Sequence, residues 1–422
     1  MSEPKKQRIP ELVMGVRNLA SLGACKDHAD AAYFSIDRLS LRSRAREITS
    51  KDLPGFVEQV HGYGMKGYLA INSVIYPHDL HELDGVLETA ASAGVDAVIA
   101  WDPATIIQAH EHDLRIHIST QANVSNQQSA EFYRSLGASR VVLARELSIQ
   151  QIKEIRACTD VELEVFVHGA MCQAISGRCY LSAHLLGKSG NCGECSQPCR
   201  WEWSLYSDRG EKVGLEGKYL LNAKDLCMIE HIPELMGAGV DAFKVEGRLR
   251  DTGYTHTVSK CYREAIDDFI KGTYTRETAG LLKEELRRQY NRGFSTGFYF
   301  GNPGPESLAC DQAMNVSTVQ KQAVGIVVNY FPKMGAASVK LTEDGIGLGD
   351  RILIEGSTTY IEQEVCSLIA EGESITVAEK GQDVGLAVDG VVRKNDKVFR
   401  LEEKVYPKGD SDGAFPSPRD LK

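Results

Sequence analysis

The sequence lacks the features of a membrane protein, of a secreted protein and of a protein that coats nucleic acid nonspecifically. No apolar run approaches the roughly 20 residues that cross a bilayer. Residues 1–6 are polar and contain no hydrophobic stretch of a secretory signal. The net charge of −10 argues against a protein that coats nucleic acid nonspecifically. We therefore expect a cytoplasmic protein with no membrane partner.

The motif H-E-x-x-H of zinc proteases is also absent. Cysteine is present eleven times, an odd number, which argues against a disulfide framework in a reducing compartment. Five cysteines are isolated in apolar surroundings, as is typical of buried small side chains: Cys25, Cys158, Cys261, Cys310 and Cys366. The other six lie between Cys172 and Cys227, and this clustering requires an explanation.

Residues 11–250 repeat a short apolar run, a polar turn and an amphipathic helical stretch. Near-continuous apolar strands that alternate with helices are typical of a parallel sheet covered on both faces. Eight such runs are present: 11–14, 31–36, 67–72, 97–101, 116–119, 141–144, 163–167 and 242–245. Eight units over about 240 residues predict a TIM-like (β/α) barrel. A doubly wound open sheet is less consistent with the sequence, because no glycine-rich phosphate motif follows the first strand.

The full domain plan follows from changes in composition. A flexible N-terminus is predicted for 1–10, and the barrel for 11–300 with a cysteine-rich insertion at 169–227. The Gly/Pro-rich stretch after residue 300 predicts a linker over 301–320. Short alternating strands then predict a small antiparallel β-barrel over 321–404, and the Pro/Gly/Ser-rich tail 405–422 is predicted to be disordered.

A TIM-like barrel carries its chemistry at the carboxyl ends of its strands. Polar residues accumulate at that predicted rim: Gln121, Asn123, Arg145, Glu146, His168, Lys244, Glu246 and Arg248. Any one of them could be a structural cap, and a lone histidine is more often a core residue than a ligand. Glu246 and Arg248 could also pair with each other. Their accumulation at one rim is the informative feature.

The clustered cysteines suggest a metal site on the loop that leaves the seventh predicted strand. Cys172, Cys179, Cys195 and Cys199 suit one tetrahedral or cubane site. The order C-x₂-C-x₃-C, which begins at Cys192, is the reverse of the radical-SAM order. Structural zinc and a single catalytic thiol with His168 as its base are open alternatives. The spacing favours iron–sulfur over zinc.

Residues 164–182, with the pattern E-x-F-x-x-G-A-M-C-x₄-G-x-C-x-L-S, resemble the signature of the U32 peptidase family. Further similarities lie at 144–148, 222–226, 244–248 and 291–299, so that the resemblance runs from about residue 11 to 301. Residues 349–388 are similar to the second-domain β-barrel of translation GTPases. The whole resembles most closely the members that hydroxylate the wobble uridine of tRNA in a prephenate-dependent way.

The resemblance implies an oxygen-independent hydroxylase with a [4Fe–4S] cluster on Cys172, Cys179, Cys195 and Cys199. Cys192 and Cys227 are alternate ligands, and Zn²⁺ is the alternative metal. The expected substrate is tRNA or rRNA, with prephenate as a possible cosubstrate and an electron donor that the sequence does not identify.

Residue roles follow from the predicted rim. Glu246, Glu146 and His168 are the acid/base candidates. The residues expected to bind substrate or an anionic cosubstrate are Arg145, Arg248, Gln121, Asn123, Lys244 and Arg38. Arg38 belongs to an arginine-rich segment, 38–46, that is expected to contact RNA. The competing hypotheses are a collagenase-like U32 peptidase, a hydroxylase of another aromatic substrate, and a noncatalytic RNA-binding scaffold held by zinc.

Overall fold

The structure is a computed structural model that describes residues 9–41, 47–211, 217–310, 315–356 and 358–404. The predicted N-terminal segment and C-terminal tail, and Arg42, Arg44 and Arg46, therefore lie largely or wholly outside the described residues. No helix within the described ranges is both long enough and apolar enough to span a bilayer.

The first domain is a closed barrel surrounded by helices. Its strands are β1 (Glu11–Gly15), β2 (Ala31–Phe34), β3 (Lys66–Ala70), β4 (Ala97–Ala100), β5 (Ile116–Ile118), β6 (Ala138–Val142), β7 (Glu162–Gly169), β8 (Asp225–Cys227), β9 (Ala242–Val245) and β10 (Phe294–Ser295). Strands β1 to β7 pair in parallel with their neighbours, and β9 pairs in parallel with both β7 and β1. The ring is thus closed by eight parallel strands, and all eight predicted runs are confirmed.

The helices that cover or follow these strands in the described part of the chain are α1 (Leu19–Cys25), α2 (Leu53–Gly62), α3 (Leu80–Ser92), α4 (Pro103–Glu111), α5 (Gln127–Ser135), α6 (Ile149–Cys158), α7 (Leu181–Leu186), α8 (Ile232–Gly237), α9 (Thr252–Lys271) and α10 (Arg276–Arg287). The turns from α3 to β4, α5 to β6 and α8 to β9 use Gly94, Gly137 and Gly239 at φ values of 75°, 86° and 71°. This left-handed conformation ends a helix at little cost only for glycine.

Small side chains leave room inside the barrel. The interior cluster contains Ala31, Ala97 and Ala242 beside Tyr33 and Tyr68. Because alanine fills little of the space between facing strands, the interior can hold long charged side chains and an open cavity above them. The larger aliphatic side chains face outward and form the core with the helices.

The cysteine-rich insertion is tied to the segment that was predicted to be a linker. Strand β8 runs antiparallel to the end of β7, and β10 pairs with β8. A bridge joins Ala223 to Leu308, and the amide of Lys224 donates to the carbonyl of Ser307 at 2.8 Å. Residues 303–308 of the predicted linker are therefore packed against the insertion.

The second domain is a separate antiparallel sheet, which confirms the antiparallel strands of the predicted small β-barrel. Its strands are β11 (Val319–Phe331), β12 (Ala336–Leu341), β13 (Ile346–Gly347), β14 (Arg351–Glu355), β15 (Tyr360–Glu364), β16 (Ile369–Ala370), β17 (Glu373–Ser374), β18 (Val377–Ala378), β19 (Asp383–Ala387) and β20 (Lys397–Glu403). The ladder order is β15-β14-β20-β11-β12-β19-β16-β17, with β13 and β18 paired separately. Lys321 Nζ donates hydrogen bonds to the carboxylates of Asp251 in the barrel domain and Glu355 in its own sheet, both at 3.0 Å.

Candidate functional site

A cavity of about 960 Å³ lies at the carboxyl ends of the barrel strands. Strand ends form its floor, and the cysteine-rich insertion and residues 303–308 form its upper wall. The predicted rim residues that line it are Gln121, Arg145, Glu146, Lys244, Glu246 and Arg248. The barrel thus brings most of the predicted site to one place, where parallel-barrel enzymes place their ligands.

Four cysteines of the insertion line this same cavity: Cys172, Cys179, Cys195 and Cys199. The backbone orients two of the sulfur atoms. The amide of Leu181 donates to Cys179 Sγ at 3.3 Å, and the amide of Gln197 donates to Cys195 Sγ at 3.4 Å. Gly190 packs beside Cys195, where a Cβ would be in van der Waals contact at 3.4 Å from the Cβ of Cys195.

The environment of Cys199 shows that the other three cysteines of the cavity influence its ionisation. Burial raises the pKa of Cys199, and Arg200 opposes that rise. Cys172, Cys195 and Cys179 raise the pKa of Cys199 further by like-charge repulsion. Four sulfur donors around one cavity are the donor set of a thiolate-bound metal centre.

The described side chains do not form a preset site for one ion. No group of three or more His, Cys, Asp or Glu within the described ranges is arranged to hold a single metal ion. The four cysteines that line this one cavity are the residues that would hold a thiolate-bound metal centre, and their chemistry suits iron–sulfur and zinc alike.

The alternate ligands Cys192 and Cys227 are not among the cavity-lining residues. Cys192 Sγ lies 3.7 Å from the hydroxyl of Tyr76. Cys227 is buried in β8, where burial raises its pKa to about 11. The structure thus groups the four preferred cysteines and places both alternates elsewhere.

Three cations surround the cavity floor. Lys244 Nζ donates to Glu164 Oε1 at 2.5 Å and lies 4.2 Å from the centroid of the Tyr33 ring. Burial lowers the pKa of Lys244, and the Glu164 carboxylate opposes that shift. Arg248 Nη1 donates to the hydroxyls of Ser35 at 2.7 Å and Ser40 at 3.0 Å.

The third cation, Arg145, lies against the ring of Phe166, with its guanidinium carbon 3.8 Å from the ring centroid. Its Nη1 donates to the carbonyl of Ala170 at 2.6 Å. Arg145 Nε and Glu146 Oε2 are buried polar atoms without a hydrogen-bond partner in the described structure. Such atoms are costly in a finished protein interior, and here they belong to adjacent residues at a cavity wall.

Glu246 reaches the cavity because β7 ends in glycine. The amide of Glu246 donates to the carbonyl of His168 at 3.0 Å, which ties the end of β9 to β7. A Cβ on Gly169 would lie 2.7 Å from the Cβ of Glu246, and Gly169 has a φ of 113°. Only glycine allows this close approach.

His168 lies behind the cavity wall. Its ring packs between Tyr254, Tyr262 and Phe294, and Tyr262 Oη is 3.4 Å from Nδ1. Burial, with a smaller contribution from Arg250, lowers the pKa of His168 to about 3. The structure therefore places His168 as a neutral core histidine, and its predicted acid/base role is not supported by its position.

The remaining predicted contacts fall in two places. Asn123 is not a cavity-lining residue, and its Oδ1 accepts from Ser176 of the cysteine loop at 3.3 Å. Arg38 is largely exposed and pairs with Glu82 at 3.1 Å. Asn123 is thus placed to support the loop, and Arg38 lies on the outer surface.

A buried ion-pair network closes the barrel below Lys244. Glu164 is fully buried and also accepts from Arg140 at 3.1 Å. Arg140 in turn contacts Glu11 at 2.8 Å, and Glu11 contacts Lys66 at 2.7 Å. Although burial raises the pKa of Glu164, Lys244 and Arg140 hold it below its usual value. Every member of this network has a partner of opposite charge.

The sequence reasoning missed Arg200, Phe166 and the wall formed by residues 303–308. Arg200 directly follows Cys199, so its place in the chain was a usable signal. Phe166 belongs to the quoted family pattern. The wall at 303–308 carries no local signal, because it depends on packing between segments distant in the sequence.

A closed eight-stranded parallel barrel with a thiol-lined cavity at its carboxyl ends defines the class of protein. Residues 19–309 match the model of peptidase family U32, and the chain belongs to that family. It is 42% identical to an uncharacterized protease of Methanocaldococcus jannaschii, over 94% of this chain and 99% of that protein.

Two further relatives carry names that differ in activity. The chain is 37% identical to a collagenase of Porphyromonas gingivalis, over 93% of this chain and 98% of the relative. It is 35% identical to tRNA hydroxylation protein P1 of Bacillus subtilis, over 76% of this chain and 78% of that protein.

Proposed function

We propose that the protein is an oxygen-independent iron–sulfur hydroxylase of RNA, and that its reaction is 5-hydroxylation of the wobble uridine of tRNA. The observation that carries the proposal is the single cavity that joins four thiols to the charged ends of barrel strands. The relationship to a protein named for tRNA hydroxylation supports the choice of substrate.

The proposed cofactor is a [4Fe–4S] cluster held by Cys172, Cys179, Cys195 and Cys199. When bound, such a cluster supplies one-electron redox chemistry at the mouth of the barrel. The electron donor is a separate partner. Zn²⁺ is the alternative occupant, and it would leave the site without redox chemistry.

The charged residues of the cavity floor are assigned separate roles in anion binding and in proton transfer. Lys244 and Arg248 would bind an anionic group, either the carboxylate of a cosubstrate such as prephenate or a phosphate of the RNA. Glu246 and Glu146 would hold or accept a proton at the reacting ring. The face of Phe166, backed by Arg145, offers a flat wall on which a base can stack.

The first experiment asks whether the cysteines hold iron. The full chain is purified without oxygen, and iron, sulfide and zinc are measured per chain together with the absorption spectrum. We expect a brown protein whose iron is lost in C172A and C195A and retained in C192A and C227A, the matched controls. A colourless protein with stoichiometric zinc would contradict the proposed cofactor.

The second experiment asks what is hydroxylated. Nucleosides from tRNA and rRNA of a strain that lacks the gene are compared by mass spectrometry with those of strains carrying wild-type or C172A protein. We expect hydroxyuridine in tRNA to disappear in the deletion and to return only with the wild-type protein. An unchanged tRNA and a missing modification in rRNA would move the proposal to an rRNA substrate, and no change in either RNA would point to another aromatic substrate.

A collagenase-like peptidase is the second candidate, because one relative is named a collagenase. The spacing G-x-S-x-G occurs at Gly293–Gly297, and its Ser295 lines the cavity. In a hydrolase elbow the serine stands on a turn from a strand into a helix, whereas β10 continues into a turn with no helix in the described residues up to Pro305. No histidine is found among the described residues that line the cavity.

The peptidase candidate has its own test. Gelatin cleavage is measured with iron-free protein and with S295A. Cleavage by the wild-type protein that S295A abolishes would favour the peptidase over the hydroxylase.

A further inference from the structure

Arg200 is a buried cation at the edge of the cysteine site, and the proposed ligand set does not include it. It ends the short helical turn Pro198–Arg200, directly after Cys199, and only 5% of it is exposed. Its guanidinium donates three hydrogen bonds: from Nη2 to the carbonyl of Met171 at 2.5 Å, and from Nη1 to Asn222 Oδ1 at 2.7 Å and the carbonyl of Ala223 at 2.5 Å.

These acceptors belong to two segments, the residues that follow β7 and the residues that precede β8. Met171 directly precedes Cys172, and Cys199 directly precedes Arg200. Asn222 also accepts from the amide of Ala309 through its own carbonyl, which connects it to the cavity wall. One guanidinium thus fixes the spacing between Cys172 and Cys199. Its planar, forked set of donors makes this possible, whereas a lysine would offer only a point charge.

All three acceptors are neutral, so the charge of Arg200 is not compensated by them. Within the described ranges Arg200 takes part in no ion pair, and the carboxylate of Asp225 is engaged by Arg292 at 2.9 Å. A buried cation without a counter-charge is strongly destabilising. Thiolates at Cys172 and Cys199 would supply the missing negative charge, because a metal centre bound by four thiolates is anionic overall.

We propose that Arg200 is a positioning residue that clamps the segments of Cys172 and Cys199 together and supplies the positive charge that compensates the thiolate-bound centre. The inference rests on the proposed iron–sulfur cofactor and assigns a role that the four ligands alone do not have. The clamp and the charge are separable, because substitutions can remove either one.

The test uses anaerobically purified full-length wild-type protein and the variants R200Q, R200K and N222A. R156Q is the matched control, because Arg156 is an ion-paired arginine of α6, 2.8 Å from Asp241, which directly precedes β9 at the amino end of the barrel. Two quantities are measured: the midpoint potential of the one-electron cluster couple by EPR-monitored titration, and the rate at which a chelator removes iron.

We expect R200Q to have a more negative midpoint potential than wild type, because the lost positive charge favoured the reduced, more anionic cluster. R200K and N222A should keep the wild-type potential and lose iron severalfold faster, because the charge remains and the clamp is weakened. R156Q should match wild type in both measurements. R200Q that folds but assembles no iron, while R200K assembles it, would also support the role of the charge.

Two results would overturn the assignment. A cluster in R200Q with the wild-type potential would eliminate the role of the charge. Iron retention in R200K and N222A equal to wild type would eliminate the clamp. Wild-type protein without iron would instead contradict the proposed cofactor, so the failure of that proposal is distinguishable from the failure of this one.

Discussion

The two ends of the barrel interior hold similar numbers of charged side chains in opposite ways. At the amino end, Arg140 contacts three carboxylates, those of Glu11, Glu162 and Glu164. At the carboxyl end, Arg145 and Arg200 donate to neutral carbonyl and amide oxygens. Neither arginine takes part in an ion pair within the described part of the chain.

This difference separates charges that hold the fold from charges that are available to a ligand. A fully paired buried network offers nothing to bind, and breaking it is strongly destabilising. A buried cation whose partners are all neutral is still able to attract an incoming anion. Lys244 belongs to both groups of charges, because it contacts Glu164 of the paired network and also lines the cavity.

Removal of one carboxylate from the amino end should have the largest effect. We expect E164Q to lower the free energy of unfolding by about 3–5 kcal/mol, because it leaves Arg140 and Lys244 buried without their shared partner. The measurement is urea unfolding followed by circular dichroism. E162Q is the control, since that side chain is 45% exposed and its loss should cost about 1 kcal/mol or less. Equal losses in the two variants would contradict the comparison.

Removal of a cation from the carboxyl end should cost function more than stability. We expect R248Q to reduce the rate of tRNA hydroxylation about tenfold to a hundredfold, the equivalent of one charged hydrogen bond to an anionic ligand. The rate is measured on unmodified tRNA with reconstituted protein. R263Q, which removes an arginine paired with Asp30 on the outside of the barrel, should keep the wild-type rate. An R248Q rate equal to that of wild type would remove Arg248 from the ligand site.

The buried histidine should make the fold sensitive to acid. The pKa of His168 in the folded protein is lowered to about 3, from the usual value of about 6.5. Between these two pH values the unfolded chain binds a proton that the native state excludes. Stability should therefore fall as pH drops from about 6.5 toward 4, by about 1.4 kcal/mol per pH unit for this group. H168Q should lack that part of the slope in urea unfolding at several pH values. A variant with the wild-type slope would show that His168 is not buried as a neutral ring.

The smallest effect on stability is expected for Arg38. Its charge belongs to a third class, because it lies on the outer surface in a solvent-exposed ion pair. R38A should change the free energy of unfolding by less than about 0.5 kcal/mol, because the pair with Glu82 is solvent-exposed. If Arg38 contacts a phosphate, the salt dependence of tRNA binding should weaken by about one unit of its logarithmic slope. E82A, which removes the partner and keeps Arg38, is the control and should not weaken that slope.

Much of the barrel was predictable because its strands are local in sequence. Each apolar run is bounded by polar turns, and the glycines before β4, β6 and β9 mark helix ends directly. Strand β8 is not among the eight predicted runs, because it is short and lies within the cysteine-rich insertion, outside the alternating pattern of runs and helices. The sequence pattern predicts a helix over 257–271, and α9 begins earlier, at Thr252, where the side chain of Asp251 accepts from the amide of Tyr254.

The site was predictable in composition and less so in arrangement. The rule that parallel strands end at one rim correctly grouped Arg145, Glu246 and Arg248. It could not tell that the His168 side chain points away from that rim, since a strand residue can face either side. It also could not foresee Arg200, whose partners come from segments distant in the sequence.

The connection between the two domains has a consequence for how they can be separated. Residues 303–308, which precede β11 in the chain, form part of the cavity wall, and residues 307–310 hydrogen-bond to residues 218–224 of the insertion. A shortened protein cut at the end of the last barrel helix would lose that wall together with the support of Asn222. Any exchange of the second domain between relatives must therefore keep residues 303–310 with the barrel. These residues form part of the cavity of the first domain, although they precede the second domain in the chain.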